Sequence, residues 1–192
     1  MSVTKITAGA ASTTLWSGGS TTEYFIYPPG KEYAERDFEI RISSATVETE
    51  VSTFTSLPGF HRLLMPLDAP MRLVFGDDRE VLLAPMESTG FDGGMQTTSY
   101  GICTDFGIMH TDRWMAQLVS LPTGTYPLSS GFSFVYAVND GGTLSWKTKD
   151  ESDNLALMKG DFILFADMQG GEIELALAEK ENAVAGRLAQ VL

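Results

Sequence analysis

The sequence predicts an all-β protein, a sandwich or closed barrel in two lobes with little helix, and three observations carry that prediction. Apolar segments rich in β-branched and aromatic residues recur along the whole chain. Clusters of Gly, Pro and Asp separate them at about ten-residue intervals. No segment sustains a helical period long enough to organise a core.

Taken in order, the predicted strands begin with TEYFIY (22–27), FEIRIS (38–43), ATVETEV (45–51), HRLLMPL (61–67), MRLVFG (71–76) and EVLLAP (80–85). They continue with ICTDFGIM (102–109), WMAQLVSL (114–121), FSFVYAV (132–138), TLSWKTK (143–149), DFILFA (161–166) and EIELALA (172–178). Turns are expected at PPG (28–30), GDD (76–78), both DGG triplets (92–94 and 140–142) and QGG (169–171), where Gly and Asp accept turn backbone. Two short helix candidates remain, YAERDF (33–38) and ENAVAGRLAQVL (181–192), the second weakened by Gly186. So many strands at regular spacing call for closed or covered sheet edges.

The two halves echo each other. HRLLMPLDAPMRLVFGDDREVLLAP (61–85) and FSFVYAVNDGGTLSWKTKDESDNLALMKGDFILFA (132–166) both run strand, turn, strand, turn, strand, which suggests lobes at 1–110 and 111–192 of one unit spanning 1–192.

Composition narrows the function classes. With 43% hydrophobic residues among 192, the chain can bury a sizeable core. A net charge of -12 without a basic run argues against nucleic acid as a partner. The single Cys103 excludes an internal disulfide and fits a reducing compartment. Neither a signal-peptide core nor a window long enough for a membrane span is present, so a cytoplasmic location and no membrane association are expected.

In FEIRIS the period of two puts Phe38, Ile40 and Ile42 on one face and Glu39, Arg41 and Ser43 on the other. If the polar face looks into a barrel, Arg41 presents a guanidinium fork suited to a carboxylate, with Ser43 beside it. The alternative is that Arg41 pairs with Glu23 or Glu39 and locks two strands together. Upstream, LWSGGSTTE (15–23) carries Gly18, Gly19, Thr22 and Glu23 but no phosphate-loop spacing, and reads as a loop that positions Thr22 and Glu23 beside the Arg41 strand.

SLPGFHR (56–62) is a Pro-Gly turn leading into a strand, with Gly59 in the left-handed position. Its Arg62 is either a second positive group for a ligand or half of an inter-strand ion pair. DFG at 105–107 lacks every other kinase element, so Asp105 is either an acceptor of backbone N–H groups or a ligand contact, and Met109 fills the barrel. Only His61 and His110 could supply imidazole, too few for an HxH metal set, and no metal or cofactor is expected. Cys103 reads as a small core residue.

WSGGSTTEYFIYPP (16–29), RDFEIRISSATVETEVSTFTSLPGFHRLLMPL (36–67), FDGG (91–94) and TDFGIM (104–109) follow one another in an order that resembles the HutD/Ves family. That family's pattern is a Trp- and Gly-rich segment with Thr and Glu, a W/F-x-RIS-x-A-x-V strand, an FxxFPG turn with Arg, and a later DFNxM. The resemblance implies a bicupin, two RmlC-like cupin barrels in one chain, and LMKGDFILF (157–165) is similar to the Gly-Asp turn and strand near the end of such barrels. It further implies a bacterial accessory or regulatory role in histidine utilisation, with N-formylglutamate or a urocanate-like metabolite as ligand. Two departures stand out: Gly107 replaces the family's Asn, and His61 replaces the Asp before the turn arginine.

The expected function is metal-free binding of a small carboxylate through Arg41, Ser43, Glu23, Thr22, His61, Arg62, Asp105 and Met109. The alternatives are a cupin-fold isomerase or hydrolase using Glu23, Asp105 and His61 as acid and base, or an interaction module presenting exposed tryptophans among Trp16, Trp114 and Trp146. A homodimer is compatible with barrels of this kind.

Overall fold

The computed structural model describes residues 2–76, 79–178 and 182–191. Its strands are β1 (Ser2–Ile6), β2 (Ser12–Trp16), β3 (Gly19–Tyr27), β4 (Ile40–Val47), β5 (Val51–Thr53), β6 (His61–Pro66), β7 (Met71–Phe75), β8 (Arg79–Leu83), β9 (Thr89–Asp92) and β10 (Thr97–Tyr100). They continue as β11 (Cys103–His110), β12 (Trp114–Leu121), β13 (Gly124–Pro127), β14 (Phe132–Tyr136), β15 (Gly142–Lys147), β16 (Ser152–Leu157), β17 (Phe162–Ala166), β18 (Glu172–Ala176) and β19 (Ala183–Gln190). Among the described residues the one helical element is a 3-10 turn at Tyr33–Glu35, and no helix is long and apolar enough to cross a membrane. The protein is all-β, and each of the twelve predicted strand segments contains a strand.

Three details correct the sequence reading. The C-terminal helix candidate is β19, hydrogen-bonded along β14, where Ala183, Val184 and Leu188 are buried; pairing and packing in the sheet override the helix propensity of its alanines. The 33–38 candidate is a single 3-10 turn closed by Arg36 in the left-handed region. ATVETEV breaks after Val47, and only its last residue, Val51, begins β5 in another sheet. Asp77 and Asp78 of the GDD turn lie outside the described residues, as does part of the 181–192 segment.

The chain forms two compact units, one of residues 12–118 and the other of residues 2–11 with 119–190. In the second, β1, β17, β14 and β19 follow one another across one sheet and β13, β18, β15 and β16 across another. Their facing side chains form a hydrocarbon core that includes Val135, Leu144, Trp146, Leu157, Ile163, Phe165, Ile173 and Leu175.

The unit of residues 12–118 pairs a six-stranded sheet, β2-β3-β4-β11-β6-β9, with a four-stranded sheet, β5-β10-β7-β8. Leu64 and Phe91 from the first pack with Met71, Leu73, Phe75 and Leu83 from the second. That cluster identifies the inner face of the six-stranded sheet. Directly opposed residues of antiparallel strands share a face, so the register carries the inner face across β11 and β4 to Arg41, Ser43, Asp105, Gly107 and Met109.

Two local devices set this arrangement. The β2–β3 hairpin turns tightly between Trp16 and Gly19, and a Cβ on Gly19 would lie 1.9 Å from the Thr46 carbonyl oxygen, so only glycine fits there. Further along β3, a bulge between Glu23 and Phe25 shifts the register on β4. Glu23 stays opposite Ser43 while Ile26, and not Phe25, comes opposite Arg41.

Candidate functional site

The charged groups inside the 12–118 barrel start from one row of three central strands. Arg41 on β4, Met109 on β11 and Arg62 on β6 are directly paired, so two guanidiniums flank one thioether on the inner face. Both arginines are 7% exposed, and a buried cation of this kind is costly unless something neutralises it.

Arg41 has a neutralising partner. Its Nε donates to Glu23 Oε2 at 2.6 Å and its Nη1 to Ser43 Oγ at 3.4 Å. Glu39, the other candidate partner, instead accepts from Arg113 and from the Trp114 indole at 2.6 and 2.8 Å. The Arg41 guanidinium also lies 4.2 Å from the centre of the Tyr33 ring, and Arg36 lies 4.0 Å from the same ring. Tyr33, on the 3-10 turn after β3, therefore carries two cations on its π system.

Arg62 is less well satisfied. Its Nη2 donates to the Thr55 carbonyl at 2.5 Å and its guanidinium lies 5.4 Å from the Phe54 ring, yet its Nε is buried without a hydrogen-bond partner. Burial lowers its proton affinity, and Arg36 and Arg41 add to that, while Tyr33 and Asp105 oppose it. The turn that delivers this strand behaves as its sequence indicates: Gly59 has φ +85° and Phe60 packs against Phe38 at 4.6 Å between ring centres.

Asp105 sits four residues before Met109 on the same face of β11 and is buried. Loss of solvent pushes its carboxyl up to about 7, helped by Asp68, while the Ala45 N–H and Arg62 pull it down. Near neutral pH this group is poised between a hydrogen-bond donor and an anion. Burial, with Asp105 and Asp68 nearby, likewise raises the Cys103 thiol to about 12, which keeps it protonated and inert.

Of the eight residues singled out from sequence, Arg41, Ser43, Glu23, Arg62, Asp105 and Met109 share the inner face. Thr22 and His61 do not join them. Thr22 opposes Ser44 and His61 opposes His110, which places both on the other face of the sheet. There the Thr22 hydroxyl meets that of Thr13 at 2.9 Å, and His61 Nε2 meets Asp112 Oδ1 at 2.5 Å. Sequence reasoning missed Tyr33, Arg36 and Phe54, which lie outside the strands it used; the aromatic and basic residues of YAER (33–36) were the available signal. Of the tryptophans, Trp16 is exposed and donates to Thr21, whereas Trp114 and Trp146 are buried.

Comparison with known proteins places this geometry in context. The HutD family model matches residues 9–185, and the chain belongs to that family. No functionally curated protein matches it. Among solved structures it is similar to the conserved protein of unknown function PA5104 from Pseudomonas aeruginosa PAO1, with TM-score 0.85, 20% identity and coverage of 99% of this chain and 100% of that one. HutD from Pseudomonas fluorescens SBW25, solved in a formate condition, gives TM-score 0.79 at 20% identity with full coverage of both chains. At the level of fold alone, the oxalate decarboxylase of Bacillus subtilis, described by its Mn(II) centres, gives TM-score 0.64 at 7% identity over 97% of this chain and 76% of that one. Hazelnut vicilin gives 0.65 at 5% identity, over 97% and 85%. These likenesses make the fold a bicupin. The manganese of the decarboxylase finds no matching donor set: among the described residues no group of three or more His, Cys, Asp or Glu could hold a metal ion, and His61 and His110 lie on the face away from Arg41.

Proposed function

We propose that the protein binds a small carboxylate inside the 12–118 barrel, held by Arg62 and Arg41 with Ser43, Glu23, Asp105 and Met109 around it. The observation that carries this reading is the buried Arg62 Nε with no acceptor, on the same row as a second buried guanidinium. A native interior rarely leaves such a donor unmatched, and a carboxylate accepting from both arginines would satisfy it. Glu23 pairs with Arg41, and burial holds Asp105, the other buried carboxyl of this face, toward its neutral form, so an anion is the matching charge for Arg62. The formate condition of the Pseudomonas fluorescens relative supports the same class of ligand. Membership of the HutD family supports a cytoplasmic accessory or regulatory role in histidine utilisation, exercised as a homodimer, with N-formylglutamate or a urocanate-like metabolite as ligand.

Thermal denaturation in the presence of formate, glutamate, N-formylglutamate and urocanate tests the proposal. A ligand at a hundred times its Kd stabilises by about 2.7 kcal/mol. The expected result is stabilisation by at least one of them that disappears in Arg62→Gln. Failure of all four to shift the transition of the folded protein would overturn it. A second reading, an enzyme that moves a proton, is favoured by one observation, the buried Asp105 carboxyl near 7 on the same inner face as Arg62. It requires chemical change of the bound carboxylate, visible by NMR, that stops in Asp105→Asn while binding persists.

A further inference from the structure

The inner face of the central strand has a gap where its neighbours carry side chains. Gly107 lies between Asp105 and Met109 along β11, and between Ser43 of β4 and Leu64 of β6 across the sheet. A Cβ built on it would have two heavy atoms within 4 Å among the described residues, the Leu63 carbonyl oxygen at 3.4 Å and Leu64 Cδ1 at 3.5 Å. Both belong to β6. No atom of Arg41, Ser43, Asp105, Arg62 or Met109 comes that close. Gly107 is not in the left-handed region, so its backbone does not demand glycine. What the missing side chain provides is space, between the arginine row and Asp105 on the inner face.

We propose that Gly107 determines which carboxylate the barrel accepts: the ligand's carboxylate meets Arg41 and Arg62, its body lies over Gly107, and a hydrogen-bonding group at its far end reaches Asp105. This deepens, and rests on, the carboxylate-binding reading. The row of Arg41 and Arg62 and the row of Asp105 are about 13 Å apart along the strand. Formate cannot bridge such a span, whereas a chain of about four to six carbons can once the side chains close on it from both ends. The ligand class is therefore an extended carboxylate with a hydroxyl, carbonyl, amide or second carboxyl group at its other end. The protonated form of Asp105, held by burial up to about 7, would donate to that group.

Titration calorimetry with two probes, formate and glutarate, at pH 6 separates the outcomes. Wild type should bind glutarate at least tenfold more tightly than formate. Gly107→Ala, whose added methyl meets only ordinary contacts, should keep the wild-type circular dichroism, unfold at or slightly above the wild-type midpoint, lose at least tenfold in glutarate affinity, and hold formate within twofold. Gly107→Ser should do the same. Unchanged glutarate affinity in both variants would overturn the inference. Wild type that binds formate but gains nothing from glutarate would also overturn it, without any variant, and would leave the carboxylate-binding proposal standing. Binding of neither probe would overturn the inference, while the carboxylate-binding reading would then rest on N-formylglutamate and urocanate.

Discussion

The barrel of residues 12–118 and the unit of residues 2–11 with 119–190 use the same scheme, two antiparallel sheets closing on a core, and fill it with opposite chemistry. In the second unit the facing side chains are almost all hydrocarbon, with the Trp146 indole N–H buried and unpaired among them, and among the described residues the one buried charged side chain is Asp161, which holds a salt bridge to Lys5 at 2.6 Å and accepts from the Met158 N–H. In the first, Arg41, Ser43, Arg62, Asp105, Thr97 and Ser99 are buried on inner faces, while Ser44 and His110 are buried on the other face of the six-stranded sheet. A carboxylate with partners and a guanidinium Nε without one mark the difference between charge used to hold a fold and charge available to a ligand. Phe165→Ala breaks the comparison hardest: at a fully buried position it should cost about 3–5 kcal/mol in chemical denaturation and leave carboxylate affinity in the folded protein unchanged. Loss of affinity in a folded variant would mean that the hydrocarbon core also shapes the ligand site.

The next largest effect concerns Asp105, the counterpart of the well-paired Asp161. Its carboxyl lies near 7 in the folded chain against an ordinary 3.8. Between those values the unfolded chain releases a proton that the folded chain keeps, so stability falls as pH rises from about 4 to 7. The difference corresponds to at most about 4 kcal/mol. Asp105→Asn should flatten that pH profile and be the more stable protein at pH 8, measured by urea denaturation across the range. An unchanged slope would show that the carboxyl is ionised in the folded state throughout.

Much of this contrast was legible in the sequence, for reasons that also explain what was not. The alternation in FEIRIS separates Ile40 and Ile42 from Arg41 and Ser43, and strand register then brings Arg62 and Met109 level with Arg41. Thr22 and Glu23 are adjacent, but adjacency in a strand means opposite faces, and only Glu23 looks inward. His61 fails for the same reason beside Arg62. Tyr33 and Arg36 escaped because a 3-10 turn has no periodicity to announce which side chains fold back over a sheet. Short strands such as β2, β10 and β13 were missed because Ser, Thr and Gly dominate them and the apolar signal is absent.

Arg62→Met sharpens the comparison by making the first barrel resemble the second. The thioether side chain has similar length and removes a buried cation whose Nε is unmatched, at the cost of the bond to Thr55. Replacing buried charge with apolar volume is often stabilising, and a gain of about 1–2 kcal/mol is expected, with carboxylate binding abolished. Destabilisation instead would indicate that Arg62 is held for the fold, through Thr55 and Phe54, and not for a ligand.

The smallest effect discriminates most finely, because it separates stability from binding at a position without charge. Glycine in a strand interior carries extra freedom in the unfolded chain, and alanine at a site with room for it should stabilise by about 0.4–1 kcal/mol. Gly107 has that room, with its nearest contacts at 3.4 and 3.5 Å. Keeping glycine there thus lowers stability while leaving the charged face open. Gly107→Ala should raise the denaturation midpoint slightly in the absence of ligand and lose that advantage when glutarate is present, since only wild type then gains binding energy. If the alanine variant is less stable without ligand, the space over β11 is already occupied by the protein's own side chains, and the first barrel is closer in kind to the second than its charges suggest.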